Sequence, residues 1–238
     1  MRDIHGSRSK YDKLKKPWPF GVLYAPPIQR QATMYLRQKD AKDLLKSGKH
    51  ELFRLVSEKN DFLNELQGGD DWSFVIKAQA LVEGSVTQAV LAHLGDSRLA
   101  KIVEVMPLVG GEVSKLAVAK ELELLTAPQR RFVHKMAALR NRLAHRADQA
   151  SFSFVRHIAS LDKNQRNEWQ ASIPWYAEDD LKEIWGPLSL RAPREVIHLS
   201  TFMLTGLLAV DGKQKEINRK IDELAIKTTS EFLRHEPT

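Results

Sequence analysis

Cysteine is absent from all 238 residues. That excludes disulfides, thiolate metal ligands and cysteine nucleophiles, and it fits a reducing compartment. Also missing is any stretch in which apolar and polar residues alternate as a half-buried strand requires, and there is no internal repeat. Long hydrophobic runs are lacking too. The longest, "VIHLSTFMLTGLLAV" at 196–210, is shorter than the roughly 20 residues of a membrane-spanning helix and contains His198, so a buried helix is expected there. The N-terminal "MRDIHGSRSKYDKLKK" leads into no apolar segment of signal-peptide length. Apolar residues still make up 42% of the chain and charged residues 28%, the balance of a globular protein with a proper core. The expectation is a cytoplasmic, all-α protein.

What is present begins with charge. The formal net charge is +7, which favours polyanionic partners, nucleic acid above all. Part of the excess sits in residues 1–28, where Arg2, Arg8, Lys10, Lys13, Lys15 and Lys16 face only Asp3 and Asp12. Pro17, Pro19, Pro26 and Pro27 break helices in the same stretch, so 1–28 reads as a basic, Pro-rich arm that Trp18, Phe20 and Tyr24 pin down. Residues 29–238 read as a single helical domain.

Within it, two helices are expected between about 30 and 67, ended by "QGGDD". Asp70 or Asp71 caps the next, "WSFVIKAQALVEGSVTQAVLAHLG", which Gly95 terminates. Ser97 caps a shorter helix before Pro107, and another runs over about 112–124. "TAPQ" has the form of a capping box, with Thr126 as N-cap, Gln129 three residues on and Pro128 in the first turn. Its helix is expected to reach about Ala147. Residues 150–190, with Trp169, Trp175, Tyr176, Trp185, Pro174 and Pro187, form an aromatic-rich insertion of short helices whose aromatic rings pack it down. Two helices, about 193–210 and 213–234, close the chain.

The helix that starts at Thr126 carries "LRNRLAHR", residues 139–146. At about 100° per residue, Phe132, Met136, Leu139 and Leu143 fall on one core-facing stripe. His134, Ala138, Asn141 and His145 fall on another almost opposite, and Arg140 on the flank, about 140° from His145. Asn141 and His145 are therefore not core residues. Arginine holds phosphates through a planar fork, and histidine moves protons near neutral pH, so the cluster suggests phosphodiester chemistry. A two-fold dimer through this face would bring both sets together, with Ala137, Ala138 and Ala144 small enough for close approach. A solvated helix face rich in helix-forming alanine accounts for the same pattern without function. A second Arg-to-His spacing, Arg191 to His198, is interrupted by Pro193 and leads into the apolar helix, where His198 reads as a core residue.

Other constellations fail. "LVGGEVSKL" lacks the spacing and preceding strand of a phosphate loop. His134 and His145 stand eleven residues apart with no carboxylate near, against a zinc site. Glu178, Asp179 and Asp180 read as a favourable charge cluster at a helix start.

"RNRLAHR" resembles the signature of the HEPN superfamily of helical domains, in which an arginine, a polar residue that is often asparagine, a few further residues and a histidine recur. Arg140, Asn141 and His145 match it. The stretch "ALVEGSVTQAVLAHLGDSRLAKIVEVMPLVGG" with "LRNRLAHR" is also similar to mannitol-operon repressor-like proteins. The resemblance covers an HEPN-like core of about 71–148 and, in kind only, the C-terminal helices at 193–234. It implies a helical bundle of HEPN type and a metal-independent endoribonuclease with no cofactor, active as a homodimer through the motif helix. It also implies a toxin or effector in bacterial toxin–antitoxin or phage-defence systems, with an antitoxin protein as partner.

In that reading His145 is the general acid or base, Arg140 neutralises the phosphorane, and Asn141 orients His145 or bonds the phosphate. Arg130, Arg131, Arg142 and Arg146 hold the RNA backbone; Glu83 and His134 are possible supports. Two rivals stand beside it: a noncatalytic regulator, as many of these relatives are, and an RNA-binding module working through the basic arm.

Overall fold

The computed structural model describes residues 68–144, 151–178 and 181–234. The N-terminal arm, the two helices expected between 30 and 67, Asp179 and Asp180 lie outside these residues. The described chain is all-helical, without strands, and no described helix is long and apolar enough to cross a membrane.

Helix α1, Asp71–Leu94, is the central element. Asp70 caps it by accepting from the Ser73 backbone N–H at 2.6 Å, and Gly95 closes it in the left-handed conformation at φ 70°. Asp71 does a different job. It accepts from the backbone N–H of Phe154 at 2.9 Å and pairs with Arg194 at 3.0 Å, tying three separate segments together at one end of α1. Phe74, Ala78, Val82, Val86 and Ala89 repeat at helical spacing and are buried, and the four after Phe74 are small enough to let neighbours approach closely.

A short 3₁₀ turn, Ser97–Leu99, leads into α2, Ala100–Val105. Its cap is Asp96, not Ser97: the Asp96 carboxylate accepts from the Arg98 backbone N–H at 2.9 Å, and Ser97 is already inside the turn. The following loop is tied off by Lys115 N–H to Pro107 O and Leu116 N–H to Leu108 O. Helix α3 is shorter than its expected span, Lys115–Glu121. Ser114 caps it from an extended conformation, and at the other end Glu123 turns left-handed at φ 56° while Leu124 N–H bonds Ala119 O. That is a Schellman closure with glutamate where glycine is usual.

Helix α4, Ala127–Ala144, carries the motif. The expected aromatic segment folds as α5 (Phe154–Ser160), α6 (Lys163–Ser172) and α7 (Lys182–Arg191). Its rings do pack it down: Trp169 is buried, donates from Nε1 to Ser189 O at 3.0 Å, and meets His157 edge-to-face. Trp175 likewise donates to Ser200 O at 3.1 Å.

The chain then runs into a single helix, α8, Pro193–Arg234, of 42 residues. Two helices were expected, with a break near Asp211 and Gly212. Contacts to the end of α1 hold the helix straight through that point. Asp211 faces His93 at 3.4 Å, Gly212 lies against Ala92 and Ala89, and Arg219 donates to Ala92 O at 2.6 Å. The helix cost of one glycine, about 1 kcal/mol, is small against such packing.

Candidate functional site

The capping box expected at "TAPQ" forms. Gln129 Oε1 accepts from Thr126 N–H at 2.7 Å, and Gln129 N–H reaches back to Thr126 Oγ1 at 3.5 Å. This start fixes the rotation of α4, and Phe132, Met136, Leu139 and Leu143 all end up buried. His134, Ala138, Asn141 and Ala144 are exposed on the outer side. Ala137 is not: it is buried with Val133, because the core-facing arc is wider than one stripe. It therefore takes no part in any contact across the outer face.

Arg140 and Asn141 are brought together. Arg140 is half-buried on the flank, and its Nη1 donates to Asn141 Oδ1 at 3.1 Å, so the guanidinium bends round towards the outer stripe. Its Nε is buried without a hydrogen-bond partner. Because Asn141 Oδ1 already accepts from Arg140, the asparagine is left to act outward through its Nδ2 donors. His145 and Arg146 lie outside the described residues.

The four expected backbone-holding arginines divide. Arg131 and Arg142 are exposed on one side of α4. Arg130 is half-buried and donates from Nη1 to Leu125 O, holding the turn that precedes the helix. Glu83 sits with α3: among the described residues its carboxylate accepts from Gln79 and from the buried Lys115, each at 3.1 Å. His134 is exposed. His198 is half-buried in α8, within the long helix that continues the apolar run.

Two residues near the site carried no readable signal of their own in the sequence. Lys135, four residues after Arg131, pairs with Glu168 of α6 at 2.8 Å. His157 of α5 is 8% exposed, stacked edge-on against Trp169. Burial first, then the charges of Arg142 and Lys135, lower its pKa to about 4, so the ring is neutral at physiological pH. His157 comes from a distant segment that only the tertiary fold brings within reach of the charges on α4.

Among the described residues no group of three or more histidine, aspartate or glutamate side chains is placed to hold a metal ion. Comparison with family models, with characterised proteins and with solved structures finds no match to the chain.

Proposed function

We propose that this chain is an endoribonuclease of HEPN type, needing no metal, homodimeric through the outer face of α4, and acting as an effector of toxin–antitoxin or phage-defence kind. The observation that carries the reading is that the half-buried Arg140 turns its guanidinium onto Asn141, on the exposed outer side of the helix. A helix that needed only solvation there has no use for an arginine folded onto an asparagine.

The chemistry uses the substrate's own nucleophile. The RNA 2′-oxygen attacks the adjacent phosphorus, a P–O2′ bond forms and the P–O5′ bond breaks. The products carry a 2′,3′-cyclic phosphate and a 5′-hydroxyl. His145 takes the 2′ proton or supplies one to the departing O5′. Arg140 neutralises the non-bridging oxygens as charge builds on the phosphorane. Asn141 uses Nδ2 to hold the phosphate or to orient His145, four positions on. A two-fold axis across this face sets both copies of the cluster around one phosphate, with Ala138 and Ala144 allowing the helices to approach.

The test compares wild type with His145→Ala on end-labelled total RNA, with and without EDTA. Cleavage by wild type alone, resistant to EDTA and leaving cyclic-phosphate ends, is the expected result. Equal cleavage by both proteins rejects the assignment of His145.

One observation favours the regulator instead. Val105 is 83% exposed, and Val113 and Ile102 are exposed near it in sequence, on α2 and the loop after it. Large apolar side chains left in water suit a protein partner. RNA untouched by either protein, together with complex formation that Val105→Glu abolishes, would establish that reading.

A further inference from the structure

Helix α4 carries Arg130, Arg131, Lys135, Arg140 and Arg142 and no carboxylate. Three of these share a stripe. Arg131, Lys135 and Arg142, spaced by four and seven residues, fall within about 40° of one another and span about 16 Å of helix. On one side the stripe borders Ala138 and Asn141. On the other it meets α5 and α6, where Lys135 reaches Glu168 and the charge of Arg142 is felt by His157. Arg156, Lys163 and Arg166, all exposed, outnumber Asp162 and Glu168 on α5, α6 and the turn between them.

The surface selects its occupant. The exposed residues of α4 are cations, His134, Asn141, Thr126's neighbour Ala127, and two further alanines; the large exposed apolar side chains all belong to other elements. A protein interface has an apolar centre to bury; the Arg131–Lys135–Arg142 stripe has none, and it lies beside the face carrying Asn141 and Ala144 through which the dimer is proposed. A phosphate backbone needs only cations along its path. A single row of cations matches one backbone, where a duplex presents two.

We propose that Arg131, Lys135 and Arg142 form a track along which the phosphate backbone of one RNA strand runs past Arg140 and Asn141 towards α5 and α6. The proposal takes the identity of the strand from the ribonuclease reading and adds its path, with Lys135 as a contact and Arg130 excluded. Lys135 exchanges Glu168 for phosphate, or shares itself between them. Neutralising Arg142 and Lys135 removes part of the charge that disfavours protonated His157, so the buried ring senses occupancy of the track.

The test separates binding from cleavage by using the His145→Ala protein and a fluorescein-labelled oligouridylate, with affinity read by anisotropy over a salt series. Arg131→Glu with Arg142→Glu is expected to weaken binding at least about 10-fold and to flatten the salt dependence by about two phosphate contacts. Lys101→Glu with Arg191→Glu makes the same change in net charge at exposed sites elsewhere, and is expected to change affinity by no more than about 2-fold. Thermal melts establish that both pairs remain folded. In the NMR spectrum the His157 ring should titrate at higher pH with RNA bound than without.

Equal weakening by both pairs would overturn the track in favour of unlocalised charge. No effect of the α4 pair would place binding elsewhere, the N-terminal arm included. Displacement of RNA by polyglutamate at matched charge, abolished by the α4 pair, would make the partner an acidic protein. The two proposals fail separately: RNA bound through the stripe but never cut by wild type removes the enzyme and keeps the track, whereas cleavage and binding indifferent to the α4 pair do the reverse.

Discussion

A left-handed residue is tolerated or demanded according to what stands where its Cβ would be. Gly95 and Glu123 both end helices with positive φ. At Glu123 the side chain is exposed, and the cost is the conformational one, roughly 1–2 kcal/mol for a residue with a Cβ. At Gly95 the guanidinium of Arg219 occupies the space a Cβ would take, while it donates to Ala92 O. Gly95→Ala therefore meets both the backbone cost and a displaced arginine. Its loss of stability should be about 2–3 kcal/mol, measured as a lowered urea midpoint. In an Arg219→Ala background the same substitution should cost only the backbone part. Equal costs in the two backgrounds would mean that Arg219 moves aside freely.

Elements were legible where a local signal decides them, and illegible where a distant neighbour does. Asp70 and Gly95 mark α1 at both ends, Thr126 and Gln129 mark the start of α4, and the stripe Phe132–Met136–Leu139–Leu143 gives its rotation; each is a short-range pattern, and each is found in the structure. The junction at Asp211 and Gly212 reads locally as a break. It is overridden by Ala89, Ala92 and His93, more than a hundred positions away in the chain. At the site, the outward placement of Asn141 could be read from periodicity, and the turning of Arg130 to Leu125 O could not, because that partner lies in the preceding loop. The continuity of α8 is itself testable. Proline at the start of a separate helix costs little, but in a helix interior it removes a hydrogen bond and clashes with the preceding turn, a loss of about 3 kcal/mol or more. Gly212→Pro should fall in the second class and lower the thermal midpoint sharply; a midpoint near that of wild type would restore the two-helix description.

For the molecule as a whole, acid is the condition that sets the cationic surface and the core against each other. His157 titrates near 6.5 when unfolded and at about 4 in the fold, so between these values the unfolded chain binds the proton that the native one refuses. Its contribution to stability is thus complete above pH 6.5 and is lost progressively as pH falls towards 4. Allowing for solvent screening of the ring's surroundings, the loss should be about 2 kcal/mol. The carboxylates of the exposed Asp70 and the half-buried Asp96 are held below the usual range by hydrogen bonds to Ser73 and Arg98 respectively, so what they add is lost only at lower pH. His157→Phe keeps an aromatic ring against Trp169 and cannot take up the proton. The difference in unfolding free energy between wild type and this variant should therefore be constant above pH 7 and shift by about 2 kcal/mol in favour of the variant between pH 6.5 and 4.5. A difference that stays flat would mean that the ring's surroundings admit water as it charges and that Arg142 and Lys135 yield with them. Full retention of the shift in saturating polyphosphate would mean that anions do not reach those two cations, and the link between the buried histidine and the α4 surface would be lost.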